Sequence, residues 1–413
     1  MKAVGVVVEY NPFHNGHKYH LEQAKSQTKA DVVVAVMSGN FLQRGEPALV
    51  SKWSRTKMAL ENGVDIVVEL PYVFATQKAE TFANGAVAIL SHLFCNYLCF
   101  GSEHGSITEF KDTLSFLERN QEVFNELVKK AIQQGVSYPR ALSLSYDSLV
   151  ADSSLIDLTQ PNNILGYHYV KAIYDQKQNI VPFTIQRTNA NYHDENFSSE
   201  TIASATSIRK SLFKNNGTLE QVRNYIPLET NNILNQYKQE FGQFHEWDDY
   251  FHLLKYKIVT NTEHELQEFY EIEEGLEHRI KRVILKSTNF NEFMQQLKTK
   301  RYTWTRLQRA CLHILTNSKK SSFTKTFEHQ DPSYIRLLGM SQKGQHYLSS
   351  IKKDISVPVI SKLSSFTNEM IQLDINAAYA YSMTLPEPIR SNFLLQEYST
   401  PPLRYNETSC QYI

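Results

Sequence analysis

Five short, mostly apolar runs constrain this chain most, the first three dominated by Val and Ile: "AVGVVVEY" (3–10), "DVVVAVM" (31–37), "DIVVEL" (65–70), "YLCFGS" (97–102) and "IVPFTIQR" (180–187). A run that is almost wholly Val and Ile has no wet face, so it belongs to a parallel sheet covered on both sides. Stretches with helical spacing lie between the runs, near 17–29, 51–62, 77–94 and 162–175. The pattern predicts an α/β fold with a doubly wound, parallel, Rossmann-like sheet. Such a sheet binds ligands outside the carboxyl ends of its strands, where strand order reverses. After about residue 200 the β signals fade, and "HEWDDYFHLLKYKIV" and "TRLQRACLHIL" read as helices. The expected organisation is therefore an α/β domain over 1–215, a mainly α-helical C-terminal domain over 216–395 and a flexible tail over 396–413. Residues 317–330, polar enough for it, read as an exposed loop.

With 41% hydrophobic and 21% charged residues the composition is ordinary for a globular protein. The first apolar run is too short for a signal segment and nothing approaches the ~20 apolar residues of a membrane span, so a cytoplasmic protein with no membrane partner is expected. Cys95, Cys99, Cys311 and Cys410 fit no zinc spacing, and no metal site is expected of them. Net charge is zero, yet residues 278–325 hold twelve Lys or Arg and one acid, Glu292.

The loop after the first run reads "NPFHNGHKYH". Pro12 disfavours helix before Phe13, so a helix begins just after it and His14 and His17 stand at its N-terminus. Unpaired N–H groups and partial positive charge make that end an anion site. Gly16, lacking Cβ, admits a close backbone approach by a polyphosphate. The two imidazoles are expected to donate to phosphate oxygens and to become more cationic as negative charge gathers. His20, one turn on, is either a further ligand or a packing residue. Downstream, "SATSIRKSL" offers Ser204 and Thr206 as capping hydroxyls and Arg209 in the first helical turn as a phosphate clamp. Gly101 after the fourth strand, Asn162 or Asn163 at a helix start and Arg187 at the end of the fifth strand sit at the expected ligand edge. In "MSGNFLQRGEPAL", Ser38, Gly39 and Asn40 form a candidate pocket, with Arg44, Lys52 and Arg55 as steering cations.

The pairing of "HNGH" with "SATSIR" resembles the HIGH-type nucleotidyltransferases. The longer matches "VGVVVEYNPFHNGHKYHL", "MSGNFLQRGEPAL", "KWSRTKMAL", "FGSEHG", "PNNILGYHY" and "KTKRYTWTRLQRACLHIL" resemble the tRNA(Met) cytidine acetate ligase family over most of the chain. The resemblance implies ATP as co-substrate, acetate and elongator tRNA(Met) as the other partners, and acetyl-adenylate as intermediate. The acetyl group would pass to the exocyclic N4 of the wobble cytidine. It further implies that Val7, Val8, Glu9, Tyr10, Asn11, Pro12, Phe13, His14, Asn15, Gly16, His17, Lys18, Tyr19 and His20 line the nucleotide, together with Gly101, Asn162 or Asn163, Arg187, Ser204 and Thr206. His14, His17 and Arg209 are the expected catalytic set, and Mg²⁺ is expected with ATP. No obligate protein partner is indicated.

Arg279, Lys281, Arg282, Lys300, Arg301, Arg306 and Arg309 are the expected RNA contacts. In 303–315, Trp304, Leu307, Cys311, Ile314 and Leu315 share one helical face, and Arg306, Arg309 and His313 lie opposite. Two other classes use parts of these motifs: a small-molecule adenylyltransferase, which leaves the basic half idle, and a non-catalytic RNA-binding protein, against which the intact motifs speak.

Overall fold

In a computed structural model the described residues are 1–150, 155–187, 201–214, 217–327 and 331–413. Strand β1 (Ala3–Val8) leads through a tight loop to helix α1 (Asn15–Thr28), followed by β2 (Val32–Ser38), α2 (Lys52–Glu61), β3 (Ile66–Leu70), α3 (Tyr72–Ala75), α4 (Ala79–His92) and β4 (Tyr97–Ser102). Then come α5 (Ile107–Arg119), α6 (Gln121–Gln133), α7 (Tyr138–Leu149), α8 (Pro161–Asp175), β5 (Val181–Gln186) and α9 (Ala205–Phe213). Strands β1 to β5 pair in parallel in the order β5-β4-β1-β2-β3. The expected runs form the five strands; β2 and β3 are wholly buried, whereas β5, at the sheet's edge, is partly exposed, with Val181 open to solvent. Each buried Val removes enough apolar surface to contribute about 1.5–3 kcal/mol, which holds the strands inside without any polar alternation. Strand order reverses between β1 and β4, so the crevice of a doubly wound sheet lies beyond their carboxyl ends.

The helical stretch comprises α10 (Leu228–Phe241), α11 (Trp247–Thr260), α12 (Glu263–Gln267), α13 (Leu276–Ile284), α14 (Phe290–Leu297), α15 (Trp304–Leu315) and α16 (Lys320–Phe327). Here the structure corrects the expectation three times. Residues 320–327, expected in a loop, form α16, because Phe323 is fully buried and stacks on Tyr270 at 4.0 Å; residues 328–330 of that loop lie outside the described residues. The helical segment ends before residue 395: β6 (Ile335–Ser341) runs antiparallel to β3 in the same sheet. After it come α17 (Gln342–Ile351), β7 (Val359–Ile360), α18 (Glu369–Ser382) and α19 (Ile389–Ser399). The expected tail instead completes α19 and forms β8 (Leu403–Asn406) and β9 (Gln411–Tyr412), which extend the sheet beyond β6.

Buried charge fastens this return. Lys52 Nζ lies 2.9 Å from both Glu69 and Glu397, and Arg336 bridges the same two carboxylates at 3.1 and 2.9 Å. All four side chains are at most 5% exposed. Burial by itself raises the pKa of Glu397; the Lys52 and Arg336 charges overcome that and hold it at about 2.

Candidate active site

Local sequence builds the centre of the crevice. His14 is the N-cap of α1: its Nδ1 accepts the Gly16 N–H at 3.1 Å, and its own N–H is donated to His17 Nδ1 at 3.3 Å. This is a capping box written with two histidines in place of Ser and Glu. Glycine at 16 is needed for a reason other than ligand approach, since a Cβ there would stand 2.9 Å from His14 Cε1. The two rings stack with centroids 3.7 Å apart, and Tyr10 and Phe13 wall His17 from behind at 5.0 and 5.6 Å.

An Nδ1 that accepts a backbone N–H carries no proton, so the cap assigns each imidazole its Nε2–H tautomer. Burial, then the Arg187 and Arg209 charges, pushes His14 down to about 3. Burial, then His14 and Arg187, holds His17 well below the usual histidine range, and burial with Arg187 brings His20 to about 4. In the free protein both rings are therefore held in the neutral form, each with one N–H donor. His20 packs as a neutral ring against Cys99, Nε2 to Sγ 3.8 Å.

Tertiary contacts bring "SATSIR" to this cap. Asn15 Nδ2 donates to the carbonyls of Thr201 and Asn224, both at 2.9 Å, which seats the start of α9 beside the start of α1. Ser204 caps α9, its Oγ accepting the Ser207 N–H at 3.0 Å; Thr206 is half-buried in the first turn. Arg209 donates to the Asn11 carbonyl at 2.9 Å and to Glu46 Oε2 at 2.8 Å. Across the crevice, a Cβ on Gly101 would touch Arg187 Cγ at 3.4 Å, so the arginine's stem lies over the glycine.

The remainder of the expected nucleotide stretch divides by burial. Val8, Tyr10, Asn11, Pro12 and Phe13 are buried scaffold, Val7 packs against the core, and Lys18 and Tyr19 are exposed. Asn163 is committed: its Oδ1 accepts the N–H groups of Glu103 and His104 at 3.0 and 3.1 Å, and its Nδ2 donates to the Asp157 carbonyl. Asn162 donates Nδ2 to Glu103 Oε1 at 2.6 Å and leaves its Oδ1 uncommitted. Lys52 and Arg55, read as steering cations, are fully buried in structural roles. Arg55 ties the loops after β1 and β2 by donating to the carbonyls of Glu9, Ser38, Gly39 and Val50.

The expected basic face on α15 is also corrected. Arg309 is buried and paired with Glu271, its NH2 at 2.6 Å and its Nε at 3.0 Å, and His313 is fully buried, bonded through Nδ1 to Tyr72 OH at 3.0 Å. Arg306 meets Glu273 at 3.1 Å and Arg301 meets Glu274 at 2.8 Å. Arg279 and Lys281 donate to backbone carbonyls of Leu297 and Asn261, and Arg282 and Lys300 are exposed. The acids that pair with the arginines stand at 271–274, just ahead of the basic window, where a charge count begun a few residues earlier would have found them. Helix α15 also touches the crevice loop: Gln308 donates to the Arg44 carbonyl at 2.9 Å, and a Cβ on Gly45 would stand 2.9 Å from Arg309 Cα.

The assembled site offers neutral N–H donors, a helix N-terminus and the guanidinium groups of Arg187 and Arg209, a set suited to an extended polyanion. Among the described residues no group of three or more His, Cys, Asp or Glu could hold a metal ion, and no helix is long and apolar enough to cross a membrane. Residues 1–394 match the family model HIGH Nucleotidyl Transferase. The chain is 53% identical over 411 residues to a Bacillus licheniformis protein named tRNA(Met) cytidine acetate ligase, with 99% of each covered. A Bacillus subtilis protein of the same name is 50% identical over the full length of both. Two crystal structures of Thermotoga maritima TmcAL superpose on 98% of the chain: the apo form at TM-score 0.91 and 32% identity, and a form bound with alpha-thio ATP at 0.89 and 31%.

Proposed function

The chain belongs to the tRNA(Met) cytidine acetate ligase family of HIGH nucleotidyl transferases, and from that premise we propose how its crevice performs the ligase reaction on ATP, acetate and elongator tRNA(Met). In the first step an acetate oxygen attacks the α-phosphorus of ATP and pyrophosphate leaves. Acetate is already an anion, so this step needs no base; it needs stabilisation of the charge that grows on the leaving group. His14 and His17 supply two oriented Nε2–H donors, α1 supplies its first N–H groups, and Arg209 and Arg187 supply the positive charge. Asn162, with its open Oδ1, serves the nucleoside, while Asn163 holds the loop. Mg²⁺ brought with ATP would neutralise phosphate oxygens there, and no cluster of three or more metal-ligating side chains among the described residues would hold it. In the second step the acetyl group passes to the exocyclic amine of the wobble cytidine, giving N4-acetylcytidine and AMP.

The observation that carries this reading is the histidine capping box with Arg209 folded onto its back from 198 residues away. The helical half, α10 to α16, presents the RNA surface, with exposed Arg282 and Lys300 as its open cations. Incubation with ATP, acetate and tRNA, followed by nucleoside mass analysis, tests it. An acetylated cytidine that depends on acetate and ATP is expected; its absence with folded protein would refute the reading.

A further inference from the structure

The transfer step has a requirement that the phosphate machinery does not meet. A cytidine exocyclic amine has its lone pair conjugated into the ring, and becomes a competent nucleophile only as one of its protons departs, so the second step needs a base. Neither catalytic imidazole can serve: each Nδ1 is occupied by a backbone N–H and each Nε2 already carries hydrogen. Glu46 is engaged by Arg209.

Glu103, beyond β4, is bonded through both carboxylate oxygens to Asn162 and Asn163, which leaves one carboxylate at this edge among the described residues. Glu9 follows the last residue of β1, its carbonyl is held by Arg55 at 2.8 Å, and its Oε1 accepts the Gln43 N–H at 2.9 Å. Its Oε2 takes no hydrogen bond among the described residues. We propose that Glu9 is the base of the transfer step, accepting the proton lost by the cytidine amine; this rests on the ligase reading above. The new N–C bond forms to the acetyl carbon, the C–O bond to AMP breaks with its electron pair on the AMP oxygen, and the amine proton passes to Glu9 Oε2 and then to solvent.

The charged surroundings of Glu9 come from four elements: Arg44 and Glu46 in the β2–α2 loop, Arg55 in α2, Tyr169 in α8 and Arg209 in α9. Burial pushes its carboxyl above the usual glutamate range, the Gln43 N–H opposes that, Glu46 adds to it, and Arg44 and Arg209 draw it back. Proton affinity of this kind suits a base that must accept and then release a proton.

The test is Glu9→Gln, which keeps an acceptor for the Gln43 N–H. Single-turnover transfer from acetyl-adenylate to tRNA should fall by roughly 10²–10⁴ more than acetate-dependent exchange of labelled pyrophosphate into ATP does. Wild-type transfer should rise with pH through a midpoint above the ordinary glutamate value of about 4.3 and then level; the variant should lack that inflection. Glu9→Asp, which retains a carboxylate, should keep the inflection at a lower plateau. Wild-type transfer in Glu9→Gln, equal loss of exchange and transfer, or an inflection missing from Glu9→Asp would overturn the assignment. Failure of the wild-type protein to exchange pyrophosphate would instead strike the ligase reading itself.

Discussion

The tautomers assigned by the capping box lead to a prediction that separates two jobs of one residue. His17 accepts a backbone N–H through Nδ1, and in the proposed mechanism its Nε2–H donates to the leaving pyrophosphate. Asparagine places an acceptor near the Nδ1 position and nothing at Nε2; glutamine reaches the Nε2 position with an N–H and gives up the cap. Both variants lose the 3.7 Å ring stack on His14, so that loss cancels when they are compared. His17→Asn should unfold within a few tenths of a kcal/mol of His17→Gln plus the cap, a difference of about 0.5–1 kcal/mol in favour of Asn given the long 3.3 Å bond. In catalysis the order reverses. Removing one preorganised donor to a developing anion costs about 2.7–4 kcal/mol, or 10²–10³ in rate, so His17→Asn should lose acetate-dependent pyrophosphate exchange by that factor and His17→Gln should retain the greater part. Urea melts and exchange rates on the same preparations measure both. If Asn proves as active as His, or Gln is as inactive as Asn while folded, the donor role assigned to Nε2–H is wrong.

Other consequences follow from the same contacts. Since burial holds His14 near pKa 3, the unfolded chain binds its proton first. That contribution to stability is complete above about pH 6.5 and is lost as pH falls toward 3, by up to roughly 1.4 kcal/mol per pH unit. Wild type should therefore weaken relative to His14→Asn between pH 6.5 and 4.5 in chemical denaturation, and parallel curves would contradict the neutral ring. Glu397→Gln leaves Lys52 and Arg336 sharing Glu69 alone in a fully buried setting, which should cost about 3–5 kcal/mol and several degrees of Tm; an unchanged melt would mean the C-terminal segment is not clamped as described. Glu273→Gln with Glu274→Gln releases Arg306 and Arg301. Tighter tRNA binding at low salt is expected, with a log–log salt slope steeper by about 0.7–0.9 for each phosphate gained. An unchanged slope would show that these arginines do not reach RNA.

Much of the crevice was legible because its signals are local. A Val/Ile run states its own burial, and His14, Gly16 and His17 state their place at a helix start through spacing alone. Arg187 stands just past β5, where ligands are expected beyond strand ends, whereas Gly101 lies within β4 and not after it. The misread charges share a cause: their partners come from elsewhere in the chain. Arg309 counted as a free cation until Glu271, 38 residues earlier, was seen against it. Lys52 and Arg55 looked like steering charges until α19 and the loop carbonyls enclosed them.

The sequence by itself therefore determined the parallel sheet, the crevice at β1 and the histidine cap, because periodicity and capping are properties of a few neighbouring residues. Only the tertiary structure decided the protonation of the imidazoles, the return of residues 335–412 to the sheet and the pairing of the basic helix with an acidic turn. Burial and ion pairing depend on which distant segments dock, and that is set by the whole packing.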